Sequence, residues 1–303
     1  TLVDVIRNYD LELLHVHHAI PHASAAYMAK QILRTEGKDI PVITTLHGTD
    51  ITLVGRDKTY EPVVTFSINQ SDAITAVSEN LRQETLNHFK IVKPIEVIHN
   101  FVDTARFRRK PIDAFRQVLA PKGEKILVHA SNFRKIKRVQ DVVRIFAAVR
   151  AEVPSKLLFI GDGPERSTAE ELSRELGVFD CVRFVGKQDQ IEDILSIADL
   201  FLLTSEYESF GLAALEAMAA GVPVISTEAG GLGEVNIDGK TGFTCAVGDV
   251  TGMSAHAIEL LQDDQLLQQF REGARMQAAS FDISNILPIY ETLYQKVVEA
   301  YRS

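Results

Sequence analysis

Short apolar runs that alternate with longer stretches of helical period constrain this 303-residue chain more than any other feature. "LELLHVH" (11–17), "PVITTLH" (41–47), "DAITAVS" (72–78) and "IEVIHN" (95–100) each precede a helical or irregular stretch, the pattern of a parallel sheet joined by crossovers. A second group follows: "KILVHAS" (125–131), "KLLFIGDG" (156–163), "CVRFVG" (181–186), "DLFLLTS" (199–205) and "VPVIST" (222–227). Helical segments between them predict a second doubly wound sheet. Between the groups, "FVDTARFRRKPIDAF" (101–115) is polar, basic and holds Pro111, which predicts a linker with the boundary near 107–112. The expected class is α/β, with Rossmann-like domains over 1–108 and 109–282 and a helix over 283–303 packing back toward the first domain. The chain opens at Thr1 and its first group has four strands against five in the second. The first domain is therefore expected to be truncated at its N-terminus.

Composition narrows the function classes. With 46% hydrophobic and 24% charged residues the chain can bury one or two substantial cores. A net charge of −9 argues against broad binding to nucleic acid or to an anionic membrane, so any anion site must be local. Cys181 and Cys245 stand alone, without CxxC or metal-ligand spacing, and suit a reducing compartment. No apolar run reaches the roughly 18 to 20 residues of a membrane span, and the start has no signal-peptide pattern. The expected location is cytoplasmic, without stable membrane insertion. The oligomeric state, a homo-oligomer included, is left open.

Doubly wound sheets bind ligands beyond the carboxyl ends of their strands, so the loops there must carry the chemistry. "IGDGPERS" follows a strand and opens a helix, and Gly161 and Gly163 permit close backbone approach with free N–H groups toward a ligand. As a dinucleotide fingerprint it is incomplete, because Arg166 stands at the third glycine position; a plain tight turn is the alternative. "SNFRKIKRVQD" (131–141) crowds Arg134, Lys135, Lys137 and Arg138 at another strand end. Cations at a helix start oppose the macrodipole, which points to a phosphate site more than to a solvated surface. "SEYESFGLAALEAMAAGVPV" (205–224) places Gly211 at the start of a small-residue helix whose first N–H groups can hold a diphosphate. Glu208 precedes it and Glu216 lies inside it. Two glutamates eight apart also occur on ordinary exposed helices.

The spacing from Glu208 to Glu216, followed by "AGGLGEV" (229–235) and "DGKTGF" (238–243), resembles the donor site of retaining glycosyltransferases of family 4, which have the GT-B fold. "LHGTD" (46–50), "AVSENL" (76–81), "IHNFVD" (98–103) and "GDGPE" (161–165) extend the resemblance over about residues 11 to 300. Within the family, "LLHVHHAIPHA" (13–23), "TTLHGTDITLVG" (44–55), "SDAITAVS" (71–78) and "SNFRKIKRVQDVV" (131–143) are similar to the members of the bacillithiol pathway that transfer N-acetylglucosamine from UDP-GlcNAc to L-malate.

The resemblance implies roles residue by residue. Glu216 binds the ribose hydroxyls of UDP, and Glu208 accepts hydrogen bonds from the sugar. The backbone at Phe210, Gly211 and Leu212 holds the diphosphate, with Gly161, Gly163 and Pro164 on the donor side. Lys137 neutralises charge on the leaving UDP, an electrostatic effect worth a few kcal/mol in such sites. His47 stands near the reacting centre, and His18 and Thr45 face a small dicarboxylate acceptor. Retention without an evident enzymatic nucleophile implies front-face substitution, and since no D-x-D triplet occurs, no metal or other cofactor is expected. His15 and His17 share a strand face, but a zinc site there lacks further ligands. The chain departs from the family in two places. Ser131-Asn132 replaces a usual Gly-Arg, which passes the second phosphate cation to Arg134, Lys135 or Arg138, with Arg134 preferred. Thr65 stands where the malate branch has an arginine. The resemblance also places a glycine-rich loop before Thr1, and a non-catalytic UDP-sugar-binding fragment is the alternative it leaves.

Overall fold

A computed structural model describes residues 1–49, 51–52, 57–110 and 113–302. Asp50 of the "LHGTD" stretch and Pro111 of the expected linker lie outside the described residues. The chain divides into two compact units, residues 1–100 with the segment from 284, and residues 101–283.

In the first unit four parallel strands run in order β1 (Leu14–His17), β2 (Val42–Leu46), β3 (Ala73–Ala76) and β4 (Ile95–Val97). Every residue of β2 is buried, as expected for a parallel strand covered on both faces. Ser78 begins the helix Glu79–His88 by accepting the Leu81 N–H at 3.0 Å, which gives the "AVSENL" stretch a structural task. The C-terminal helix Ile283–Arg302 packs Ile286, Tyr290 and Leu293 with Ile43 and Ile98.

The second unit holds six parallel strands in the order β10-β9-β8-β5-β6-β7. These are β5 (Lys125–Ala130), β6 (Ser155–Ile160), β7 (Val182–Gly186), β8 (Leu200–Leu203), β9 (Val224–Thr227) and β10 (Gly242–Cys245). The central strands are continuous buried runs, and helices Val139–Glu152 and Val250–Gln262 contribute Val142, Phe146, Met253 and Leu260 to the core that covers them. The sixth strand, β10, is absent from the expected five. It is a short edge strand with its two middle residues only partly buried, too brief for an apolar pattern to stand out. Residues 101–108 group with this second unit.

Candidate donor site of the second unit

The order of the six-stranded sheet reverses between β5 and β8, and ligands of open parallel sheets bind beyond the carboxyl ends of the strands at such a switch point. The loops that leave β5 and β8 hold the expected donor residues. The β5 loop starts from a buried tie. His129 is fully buried, with Nδ1 2.9 Å from the Leu202 carbonyl oxygen and Nε2 2.8 Å from Ser131 Oγ. A carbonyl only accepts, so Nδ1 carries the proton and the Ser131 hydroxyl donates to Nε2. Ser131 Oγ in turn accepts the Phe133 N–H at 3.2 Å. Burial holds this imidazole down at about 4, which keeps the neutral tautomer in place. The His129 to Leu202 bond thus ties β5 to β8, and the Ser131 hydroxyl orients the ring that makes it.

Beyond this tie Lys137 Nζ donates to Glu208 Oε1 at 2.6 Å, and the Ser205 hydroxyl donates to the same oxygen at 2.7 Å. Both charged side chains are mostly buried, 19% and 15% exposed. The loops are also laced through their backbones. Thr204 Oγ1 donates to the Lys137 carbonyl at 2.9 Å, Glu206 N–H to the Ile136 carbonyl at 2.8 Å, and Gly231 N–H to the Glu208 carbonyl at 2.8 Å. The "AGGLGEV" turn therefore holds the loop that carries Glu208.

The four cations of the β5 loop do not act as one cluster. Arg138 adopts a left-handed conformation (φ 48°) and donates to Asp141 Oδ2 at 2.6 Å and Glu206 Oε1 at 3.1 Å. Asp141, in the first turn of the following helix, relieves the clash of cation and dipole that the sequence raised. Arg134 and Lys135 are exposed and form no ion pair among the described residues. Of the alternatives for a second phosphate cation, Arg134 and Lys135 remain available and Arg138 is engaged.

Gly161 and Gly163 have a different physical reason from the expected one. A Cβ at Gly161 would lie 1.9 Å from the Ser131 carbonyl oxygen and one at Gly163 2.0 Å from that of Asn132. Their N–H groups donate to the Gly186 carbonyl and to Asp162 Oδ1, at 2.8 and 2.9 Å. The expectation of free amides there is corrected: these glycines, with Pro164 beside them, seat the β6 loop against the β5 loop. Gly211 does meet its expectation of an N-terminal bend, at φ 100° and with Leu232 Cδ1 2.5 Å from where its Cβ would be. The first bond of helix Leu212–Ala219 runs from Leu215 N–H to the Gly211 carbonyl at 3.0 Å, so the preceding helical N–H groups have no acceptor inside the helix. Phe210 is buried edge-on against Phe281, ring centroids 5.5 Å apart, while Leu212 is exposed.

Glu216 lies in this helix with no hydrogen-bond partner for its carboxyl among the described residues. Burial pushes its pKa up to about 7, against the pull of Arg106 and with a smaller push from Glu192. Arg106 spends its guanidinium on Glu192, donating to both carboxylate oxygens at 3.1 Å. Arg106, Glu192 and Ser205 were not expected; Arg106 and Glu192 meet through the fold, 86 residues apart, whereas Ser205 lies three residues before its partner Glu208.

In the first unit the histidines gather at the ends of β1 and β2. His17 Nδ1 is 2.8 Å from His47 Nε2, so one ring donates and the other accepts, and the His18 and His47 ring centroids are 5.0 Å apart. His15 is held between Tyr294 Oη and Thr45 Oγ1, both at 2.7 Å, and burial lowers its pKa to about 4. Thr45 is fully buried, its hydroxyl also 2.6 Å from Thr75 Oγ1. The expected contact of Thr45 with an acceptor is therefore corrected: in a strand covered on both faces its hydroxyl belongs to an internal network. His18 and His47 stay at the strand ends.

Two parallel α/β units, the second with a lysine–glutamate pair at its switch point, define a two-domain transferase of the GT-B class. Solved structures agree with this fold. Anabaena HepE in complex with UDP-glucose superimposes with a TM-score of 0.85 at 22% identity, over 97% of this chain and 81% of that one. The sucrose-phosphate synthase of Thermosynechococcus elongatus gives 0.84 at 22%, over 99% and 78%. The family profile "Glycosyl transferases group 1" matches residues 112–277, and "Glycosyltransferase Family 4" matches residues 1–106. The chain belongs to this family of glycosyltransferases. It is similar to the N-acetyl-alpha-D-glucosaminyl L-malate synthase of Bacillus anthracis, 46% identical over 299 residues, which are 98% of this chain and 78% of that one. No described helix is long and apolar enough to cross a membrane.

Proposed function

We propose that this glycosyltransferase moves N-acetylglucosamine from UDP-GlcNAc to the hydroxyl of L-malate, with retention at the anomeric carbon and without a metal. The observation that carries the reading is the 46% identity, over nearly the whole chain, to an N-acetyl-alpha-D-glucosaminyl L-malate synthase. The donor chemistry is compatible with it. In this reading Glu216 binds the ribose hydroxyls, the start of helix Leu212–Ala219 holds the diphosphate with Arg134 as an added cation, and Lys137 takes up charge on the departing UDP. Glu208 accepts from sugar hydroxyls. Lys137 and Glu208 are paired with each other, and donor binding exchanges that pair for lysine–phosphate and carboxylate–hydroxyl contacts. In the substitution the malate oxygen bonds to the anomeric carbon on the face that UDP leaves, and the hydroxyl proton passes to a β-phosphate oxygen. His47 and His18 serve the sugar and acceptor side. Cytoplasmic action belongs to the same proposal.

The test is incubation of the whole chain with UDP-GlcNAc, EDTA and a panel of acceptors, with UDP release and the anomeric configuration followed by NMR. Release with malate alone, giving the α-anomer, supports the reading. Tight UDP binding with no release for any acceptor overturns it. One observation favours a second reading, a family 4 transferase with another acceptor. Thr65, where the malate branch has an arginine, donates to Glu61 Oε1 at 3.0 Å within its own helix and presents no cation to a dicarboxylate. Release with an inositol phosphate, lipid or oligosaccharide and none with malate would select it.

A further inference from the structure

The second unit carries another cavity, at the amino-terminal edge of the sheet that bears the donor site. It measures about 790 Å³ and is bounded by Lys125 at the start of β5, Asp199 just before β8, and Ala219 to Gly221 at the far end of the Glu216 helix. That volume is in the range of small-molecule sites. Its charge is unusual for a chain of net charge −9. Five cations line it against three acids.

The acids are already neutralised. Asp264 receives Lys125 at 2.5 Å, Glu272 receives Arg275 at 2.8 Å, and Asp199 receives both Arg116 and Arg271 at 2.7 Å. The excess positive charge rests on Arg108 and Arg109. Neither forms an ion pair among the described residues, and Arg109 has one carbonyl contact, with Ala198 at 3.3 Å. A third guanidinium is incompletely used. Arg271 is 11% exposed, its Nη2 meets Asp199, and its Nη1 is buried without a hydrogen-bond partner. An unpaired buried donor costs about 1 to 3 kcal/mol, more when charged; this nitrogen is closed off from the cavity, so Arg271 adds positive charge behind the wall rather than a donor at its surface.

We propose that this cavity binds a small oxyanion of two or more negative charges, held by the forked guanidinium groups of Arg108 and Arg109 with Arg271 at its back. Planar guanidinium forks match phosphate and carboxylate oxygens bidentately, and neither a neutral sugar nor a cation would use the surplus charge. Arginines at helix C-termini also serve as caps, and Arg109 does so at Ala198. Arg108 makes no such contact among the described residues, and Arg271 lies beyond what capping explains. The site is distinct from the donor site, which lies at the carboxyl ends of the same strands.

The test is calorimetric titration of the whole chain with pyrophosphate and, in parallel, citrate, at fixed ionic strength and with UDP saturating. Saturation with UDP keeps the phosphate probe out of the donor site. The expected result is one further anion bound per chain, at least tenfold more weakly in the Arg108→Gln/Arg109→Gln double variant and unchanged in Lys137→Ala. Arg271 is left intact because its loss would strip Asp199 of a partner and confuse binding with folding. The relative affinities of pyrophosphate and citrate distinguish a phosphorylated from a polycarboxylic ligand. Absence of saturable binding at millimolar anion overturns the proposal. So does binding that survives the double variant or disappears in Lys137→Ala, which would locate the anion at the donor residues.

Discussion

Glu216→Gln should make the protein more stable and a poorer nucleotide binder at the same pH. The carboxyl is buried enough to raise its pKa from 4.5 to about 7. At 1.36 kcal/mol per pKa unit, that shift corresponds to about 3 kcal/mol of penalty on the ionised form in the fold. The sign follows from the folded value lying above the unfolded one. Below pH about 4.5 the group is protonated in both states and costs nothing; the penalty grows from there to pH about 7 and is complete above it. Glutamine is nearly the same shape and carries no charge. The variant should therefore gain up to about 3 kcal/mol at pH 8.5 and less than about 1 kcal/mol at pH 5, read as the shift of the urea midpoint by circular dichroism. Ribose hydroxyls bind an ionised carboxylate about 1 kcal/mol better than a neutral amide, so UDP affinity at pH 8 should fall several-fold by calorimetry. Equal stability of the two proteins at pH 8.5 would refute the burial argument. Unchanged UDP affinity would refute the ribose role.

Other outcomes follow from neighbouring groups. Arg106→Ala should raise the Glu216 pKa further and move the pH midpoint of UDP binding upward, since Arg106 is the cation that holds it down; a midpoint that stays put or falls contradicts this. Lys137→Ala should lower turnover more than UDP affinity, and a double-mutant cycle with Glu208→Gln in urea denaturation should show coupling on the order of 1 kcal/mol. Zero coupling would mean the 2.6 Å pair is not formed in solution. His15 and His129 are held near 4, below the ordinary 6.5, so each must charge on unfolding. Their contribution is complete above pH about 6.5 and is lost as pH falls to about 4, up to roughly 3 kcal/mol for each. A His15→Gln/His129→Gln protein should show a flatter stability profile between pH 6.5 and 4, and an unchanged slope would show that these rings are not buried neutral.

Strands were legible where both faces are covered. β2, β5, β8 and β9 are buried along almost their whole length, so a continuous apolar run marks each of them. The same burial misled the reading of Thr45, because a threonine in such a strand has no open face and spends its hydroxyl on His15 and Thr75. β10 escaped because an edge strand of four residues needs no apolar pattern. In the candidate site, spacing brought out Glu208, Gly211 and Glu216, which share one strand–loop–helix passage. It could not bring out Arg106 with Glu192 or His129 with Leu202, whose partners are supplied by sheet order.

The switch point explains both what the sequence marked and what it concealed. β5 and β8 are neighbours in the sheet although more than 70 residues separate them, and their loops leave from the same edge. A cation on one loop can thereby meet an acid on the other, as Lys137 meets Glu208 and Arg138 meets Glu206. The His129 to Leu202 bond fixes the strand ends against each other beneath that pair, and Ser131 holds the ring in the tautomer that makes it. Ser131 completes the hydrogen bonds of that buried imidazole, and an unsatisfied nitrogen there would cost about 1 to 3 kcal/mol. Ser131 and His129 thus act together, two residues apart in the sequence and joined by one hydrogen bond.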